Sequence, residues 1–162
     1  MSATDAIPSE CWTAKPTPEE WCAAEVVAHL IQVERKAIHT ADKLIQKSPK
    51  PFWFWQRIHF PLWLVGVRVI RRKSPIPMDG TLIGNKERML DELRKTREET
   101  MTFLEIAKIR DLSEYRWQHP FLGSLSVCEW MEMIAAHEIR HGKQLRKIAS
   151  RLPKVVEISQ NQ

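Results

Sequence analysis

The spacing of apolar residues in long, proline-bounded stretches constrains the fold of this chain most strongly. From about residue 22 to residue 46, apolar side chains recur at intervals of three and four until the run "SPKP" at residues 48 to 51 stops the pattern. The same spacing returns from about residue 86 to residue 110, after Asn85 as a candidate N-cap. This period places apolar side chains on one face of a helix. It predicts two long amphipathic helices, whose inward residues would be Val26, Leu30, Val33, Ala37 and Leu44 in one, and Met89, Leu93, Met101, Leu104 and Ala107 in the other.

Two more helices are predicted between and after these. Residues from about 55 to 72 are apolar nearly all round, which is typical of a buried or partner-facing helix. Ser126 and Glu129 form a capping-box pattern at the start of the last helix, which should fray by Pro153. No stretch alternates at period two strongly enough to predict a sheet. We therefore expect an all-α four-helix bundle, one domain over residues 1–162, with residues 1–15 and 154–162 peripheral.

Charge, cysteines and the N-terminus exclude several classes of protein. The 25 basic and 20 acidic residues are spread along the chain, a surplus too small to indicate a nucleic-acid partner. Arg57 and Arg68 interrupt the longest apolar run, so we expect no transmembrane segment. The N-terminus does not resemble a secretory signal, and three cysteines without a C-x-x-C pair do not suggest a disulfide framework. These features favour a cytoplasmic protein.

Two histidines on the last predicted helix raise the question of a metal. His137 and His141 are four residues apart, which on a helix means about 6 Å along the axis and about 40° around it. They share the inward face with bulky apolar residues. Burying two imidazoles costs stability unless each finds a partner. A shared divalent cation and a hydrogen-bonded pair of core histidines both satisfy that requirement, and the spacing leaves both open.

The segment from His137 to His141 also matches the H-E-x-x-H pattern of zinc proteases. That class needs a third ligand downstream and normally a strand beside the helix. Only Glu157 follows as a carboxylate, in a predicted tail, so we do not expect a zinc protease. Glu138 lies at the flank of the inward face, where it would orient a ligand, pair with a cation or face solvent. A third ligand would have to come from another helix, and His29 is placed to be either that ligand or a core histidine.

Two stretches together carry a family resemblance. "PTPEEWCAAEVVAHLIQVER" at residues 16–35 and "HPFLGSLSVCEWMEMIAAHEIRHGKQL" at residues 119–145 resemble the DinB/YfiT-like superfamily of bacterial metal-binding four-helix bundles. In that family a tryptophan opens the helix of the first histidine, here Trp21 and His29, and a late helix carries His-x-x-x-His, here His137 and His141. The resemblance implies one three-histidine metal site.

The sequence departs from the family pattern in two places. Only 20 residues precede Trp21, too few for the full helix that family members usually have there, so a short helix at about residues 9 to 13 is the most that fits. The helix order of the family therefore cannot be assumed. Cys22 stands where the family often has a serine or threonine cap, which weakens that helix start without affecting the site.

The resemblance also implies a class of chemistry. Three neutral imidazoles leave a divalent ion its full charge and an open position, where a bound water or thiol loses its proton more readily. Relatives in the family include transferases of low-molecular-weight thiols and proteins described as metal-dependent hydrolases. We therefore expect zinc or nickel, a small-molecule substrate, and thiol transfer to an electrophile, with hydrolysis of a small ester or amide second and a non-catalytic metal-binding role third. Glu138 and His119 are the candidate catalytic residues for proton handling.

The tryptophan-rich segment at residues 51 to 73 allows three interpretations. It is apolar enough for a core helix or a homodimer face, and its basic end, Arg68, Arg71 and Arg72, also suits docking to an anionic membrane or a partner. The same arginines would alternatively bind a carboxylate of a thiol cofactor. The composition does not decide among these.

Overall fold

The computed structural model describes residues 3–49 and 79–152, and these are mostly helical. Helix α1 spans Ala23–Ile45, α2 spans Lys86–Ala107 and α3 spans Val127–Ala149. Strands β1 (Arg116–His119) and β2 (Gly123–Ser126) precede α3, and short 3-10 helices lie at Ser9–Cys11 and Gly80–Leu82. Helix α1 packs against both α2 and α3. It therefore lies at the centre of the described helices.

The three helices begin where the sequence predicts, each with a side chain that accepts a backbone N–H group at its start. The Glu25 carboxylate accepts the Cys22 N–H at 2.8 Å, so the start of α1 is capped although cysteine replaces serine or threonine there. The Asn85 side chain accepts the Arg88 N–H at 2.9 Å and begins α2. Ser126 and Glu129 form the predicted capping box of α3. Helix α2 ends three residues earlier than expected, at Ala107.

A small hairpin shows that the expectation of no sheet was wrong. Strands β1 and β2 pair antiparallel, with Arg116 opposite Ser126 and His119 opposite Gly123. Gly123 has φ 93°, a conformation that glycine adopts without strain and that closes the turn. Strands of four residues are too short for a clear period of two. The hairpin leads directly into α3 and brings His119 against the first turn of that helix, at Trp130.

The inward face of α2 differs from the predicted one. Met89 and Phe103 are buried, but so are Thr96 and Thr100, whereas Met101 is 52% exposed. The Thr96 hydroxyl donates to the carbonyl oxygen one turn earlier at 2.8 Å, and the Thr100 hydroxyl lies 2.5 Å from a carboxylate oxygen of Glu34 and 3.0 Å from the Thr96 carbonyl. Because their polar atoms have hydrogen-bond partners, these side chains can face the core. The apolar pattern alone therefore predicts the wrong inward face for α2.

The N-terminal segment corrects a second expectation, that residues 1–15 are peripheral. Ile7 and Trp12 are 0% and 2% exposed and belong to the core cluster shared with α1 and α2. The Trp12 indole N–H lies 3.2 Å from the Met89 sulfur, and the Lys86 ammonium donates to the Ile7 carbonyl at 2.7 Å. The expected short helix is present as the 3-10 helix at Ser9–Cys11. This segment covers the end of the helices near the start of α2.

Several predictions fall on residues outside the described ranges. The predicted helix at about 55 to 72, the basic residues Arg68, Arg71 and Arg72, and the tail 154–162 are among them. The four-helix bundle therefore stays a prediction. Within residues 3–49 and 79–152, none of the helices has the length and apolar character needed to cross a membrane.

Candidate metal centre

Three histidines from two helices converge on one point. His29 comes from α1, and His137 and His141 come from α3. The Nε2 atom of His137 lies 3.2 Å from Nε2 of His29 and 3.1 Å from Nε2 of His141. One ligand atom from each of the three lies within 4.8 Å of the others. The structure thus brings together the three histidines that the sequence singled out.

The spacing of these nitrogens fits a single divalent ion. Two nitrogens bound to one zinc at about 2.0–2.1 Å lie about 2.9 Å apart at a right angle and about 3.4 Å apart at a tetrahedral angle. The two short separations between the histidine nitrogens fall between these limits. Uncharged ring nitrogens are also the ligand type that zinc and nickel accept. The three residues could therefore hold such an ion.

Gln144 fixes the orientation and tautomer of His141. Its amide oxygen lies 2.9 Å from Nδ1 of His141, one helical turn along α3. Because that oxygen can only accept, Nδ1 carries the ring proton and Nε2 keeps its lone pair toward the other two histidines. An outer contact of this kind is typical of metal-binding histidines. Sequence analysis missed Gln144, although its i+3 spacing from His141 was a usable signal.

Trp21 packs against two of the three rings. Its ring meets His29 edge-on with centroids 5.1 Å apart and lies nearly parallel to His141, with centroids 6.4 Å apart. Trp21 stands just before α1, so the same helix start positions both the tryptophan and His29. The side chain limits the rotation of both rings. The tryptophan named by the family resemblance is thus part of the histidine cluster.

The electrostatic environment keeps His29 and His137 uncharged. Burial lowers the pKa of His29 to about 4. Burial also lowers the pKa of His137 to about 2, and the neighbouring positive charges that His141 and His29 would carry lower it further. At neutral pH both imidazoles are therefore neutral, with a lone pair to offer. Metal ligands must be deprotonated to bind, so this environment favours a cation over protons.

An ion-pair network ties three helices together beside the cluster. Arg97 of α2 donates to Glu138 of α3 at 2.6 Å and to Glu34 of α1 at 3.2 Å. The Thr100 hydroxyl donates to the other oxygen of Glu34 at 2.5 Å. The Glu34 side chain is almost completely buried, and this burial raises its pKa. Glu138 therefore pairs with a cation, one of the alternatives left open by the sequence.

Glu34, Arg97 and Thr100 were missed by sequence analysis. The sequence did contain one signal: Glu34 follows the inward Leu30 by four residues and so lies on the same buried face. A carboxylate buried there needs a polar partner. The partner could not be predicted, because Arg97 is 63 positions away on a helix whose inward face was misplaced.

His119, the other proposed catalytic residue, ends strand β1. Its Nδ1 accepts the backbone N–H groups of Phe121 and Leu122, both at 3.1 Å. The ring packs against Trp130 with centroids 5.0 Å apart. Burial lowers its pKa to about 4, and it is close enough for its charge to lower the pKa of His137. His39, in contrast, is exposed on α1 and has no place in the histidine cluster.

Comparisons with known proteins identify the family of the chain. The sequence profile described as the DinB superfamily matches residues 1–145. Uncharacterized protein YuaE of Bacillus subtilis (strain 168) is 29% identical over 141 residues, which cover 85% of this chain and 83% of the relative. No solved structure matches the chain significantly. The profile covers most of the sequence and includes all three histidines of the cluster, and on this evidence the chain belongs to the DinB superfamily.

Proposed function

We propose that the protein binds one divalent metal ion, zinc or nickel, through His29, His137 and His141. We further propose that it transfers a low-molecular-weight thiol to an electrophile at that site. The observation that carries the proposal is the convergence of three Nε2 atoms from two helices. Membership of the DinB superfamily supports it.

The donor set supports an open, reactive site rather than a closed structural one. Within the described residues, no carboxylate or thiolate joins the three imidazoles. Three neutral ligands leave the charge of a dication uncompensated and fewer than four positions filled. A dication held there acts as a Lewis acid that lowers the pKa of a thiol or a water in its open position.

The protein groups around the cluster would orient and shield the reactants. Trp21 covers His29 and His141 on one side and keeps their rings in place. Glu138 and His119 remain the proposed catalytic residues, yet neither is a free base: Glu138 is paired with Arg97, and Nδ1 of His119 is already an acceptor. Thiol transfer suits such a site, since a thiol of lowered pKa needs no strong protein base. Hydrolysis of an ester or amide would gain more from a general base.

Cobalt substitution tests the proposed chemistry. The full-length protein, loaded with cobalt, is titrated with glutathione, bacillithiol and mycothiol. A thiolate ligand should produce an intense sulfur-to-metal charge-transfer band. Absence of the band with all three thiols, together with metal-dependent turnover of an ester, would favour the hydrolase. Absence of both would favour a non-catalytic metal-binding protein.

Further proposals concern regions that the structure does not describe. We propose that residues 55–72 supply a fourth helix and that the whole chain is one domain. The arginines 68, 71 and 72 would then bind a carboxylate of the thiol, or the segment would form a homodimer face. A cytoplasmic location, where low-molecular-weight thiols are kept reduced, would suit this chemistry.

A further inference from the structure

The second ring nitrogen of His119 is available for a ligand. Nδ1 accepts two backbone N–H groups, from Phe121 and Leu122, at 3.1 Å each. Nε2 has no hydrogen-bond partner among residues 3–49 and 79–152. It is not one of the buried polar atoms in the described part of the chain, so Nε2 of His119 reaches solvent, where a ligand can approach it. A solvent-facing nitrogen without a protein partner is free to bind a ligand.

The hairpin turn determines which nitrogen carries the proton. Two N–H groups point at Nδ1, so that atom must present its lone pair, and the proton of the neutral ring must lie on Nε2. Moving the proton to Nδ1 would set three N–H groups against one another. His119 therefore offers a fixed hydrogen-bond donor and cannot accept a proton at Nε2. This differs from the proton-accepting role that a histidine near a metal usually suggests.

The His119 ring packs against the face of α3 that carries the metal cluster. The His119 ring contacts Trp130, and His137 follows Trp130 by seven residues, which is nearly two full helical turns. Trp130 and His137 therefore share one face of α3. The electrostatic effect of His119 on His137 is consistent with this placement.

We propose that His119 donates its Nε2–H to the ligand in the open position of the metal centre. It is a specificity-determining residue that selects an anionic ligand atom with a spare lone pair, such as a thiolate or an oxyanion. The inference rests on the proposed function, because it requires a metal held by His29, His137 and His141. It defines the role of His119 as donor rather than base.

Azide binding to the cobalt-loaded, full-length protein tests the proposal. In His119→Asn the side-chain oxygen takes the place of Nδ1, so the Phe121 and Leu122 N–H groups keep an acceptor while the distal donor is lost. We expect the cobalt content to be unchanged and the Kd for azide to rise about fivefold, as for the loss of one hydrogen bond. His39→Asn, on the exposed side of α1, is the matched control and should leave the Kd unchanged.

A second readout does not depend on metal or on the variant. Nitrogen-15 NMR of the wild-type, metal-free protein should show the proton of His119 on Nε2 near neutral pH. A proton on Nδ1, or an unchanged azide Kd in His119→Asn with cobalt bound, would overturn this inference and leave the proposed function standing. Loss of cobalt from a folded His119→Asn protein would also overturn it, by making His119 a ligand. Failure of the wild type to bind cobalt would reject the proposed function together with the inference.

Discussion

The Nε2 atoms of His29 and His137 lie 3.2 Å apart, although 108 positions separate the two residues in the chain. This contact depends on how α1 and α3 pack, because a shift of one helix by a single turn, about 5.4 Å, would separate the nitrogens. The Nε2 atoms of His137 and His141, in contrast, are brought together within one helix. Features that hold α1, α2 and α3 in register therefore also determine the metal centre.

Replacing Gln144 should weaken metal binding without unfolding the protein. In Gln144→Ala, Nδ1 of His141 loses the acceptor that fixes its tautomer. Loss of such an outer contact typically weakens metal affinity by about tenfold or more. Competition for zinc with a chromophoric chelator would measure the change. Lys143→Ala, an exposed neighbour, is the control, and equal zinc affinities in the two variants would argue against a role for Gln144.

Replacing Arg97 should destabilise the fold. In Arg97→Met the buried Glu34 loses its charged partner and keeps only the Thr100 hydroxyl. A buried group left without its partner costs about 1–3 kcal/mol in the free energy of unfolding. Urea denaturation of the metal-free protein would measure this loss.

Arg94 provides the matched control on the same helix. It pairs with Asp91 at the surface, where both side chains are largely exposed, so Arg94→Met should change stability by less than about 0.5 kcal/mol. Adding Glu34→Gln to Arg97→Met should restore part of the lost stability, because the unpaired carboxylate is removed. Equal effects of the two arginine substitutions would contradict the importance of the network.

The sequence predicts the starts of α2 and α3 well because each has a local signal. Asn85, and Ser126 with Glu129, satisfy backbone donors within three residues of themselves, so no distant contact is needed to recognise them. His137 and His141 are predictable as a pair for the same reason. Their partner His29 required the family resemblance, because the period of α1 alone does not distinguish a ligand from a core histidine.

The features that sequence analysis missed depend on distant contacts or on very short elements. Thr100 faces inward because it meets Glu34 of another helix, whereas an apolar count favours Met101 on a different face. The hairpin strands have four residues each, and only Gly123 within "HPFLGSL" signalled the turn. Trp12 is buried by contacts with residues far along the chain, which no local pattern reveals.

The metal-free protein should lose stability as the pH falls below about 6.5. An unfolded histidine has a pKa of about 6.5, whereas burial holds His29 at about 4 and His137 at about 2. Between these values the unfolded state binds more protons, so stability rises with pH and is lost on acidification, until about pH 4 for His29 and lower for His137. Each such histidine contributes a slope of at most about 1.4 kcal/mol per pH unit.

Removing one buried histidine should flatten that dependence. His29→Gln has no imidazole to titrate, so its free energy of unfolding should fall less between pH 7 and pH 5 than that of the wild type. Urea denaturation at both pH values gives the comparison. An identical fall in the two proteins would show that His29 does not resist protonation in the folded state.

Metal content measured by mass spectrometry on protein purified without an affinity tag tests the central claim most directly. The wild type should carry about one divalent ion per chain. Folded His29→Ala, His137→Ala and His141→Ala proteins should each lose most of it, since two imidazoles hold an ion far less well than three. His39→Ala should keep full occupancy, because His39 lies outside the cluster. A wild type without metal, or a His29→Ala protein with full occupancy, would contradict a centre built from α1 and α3.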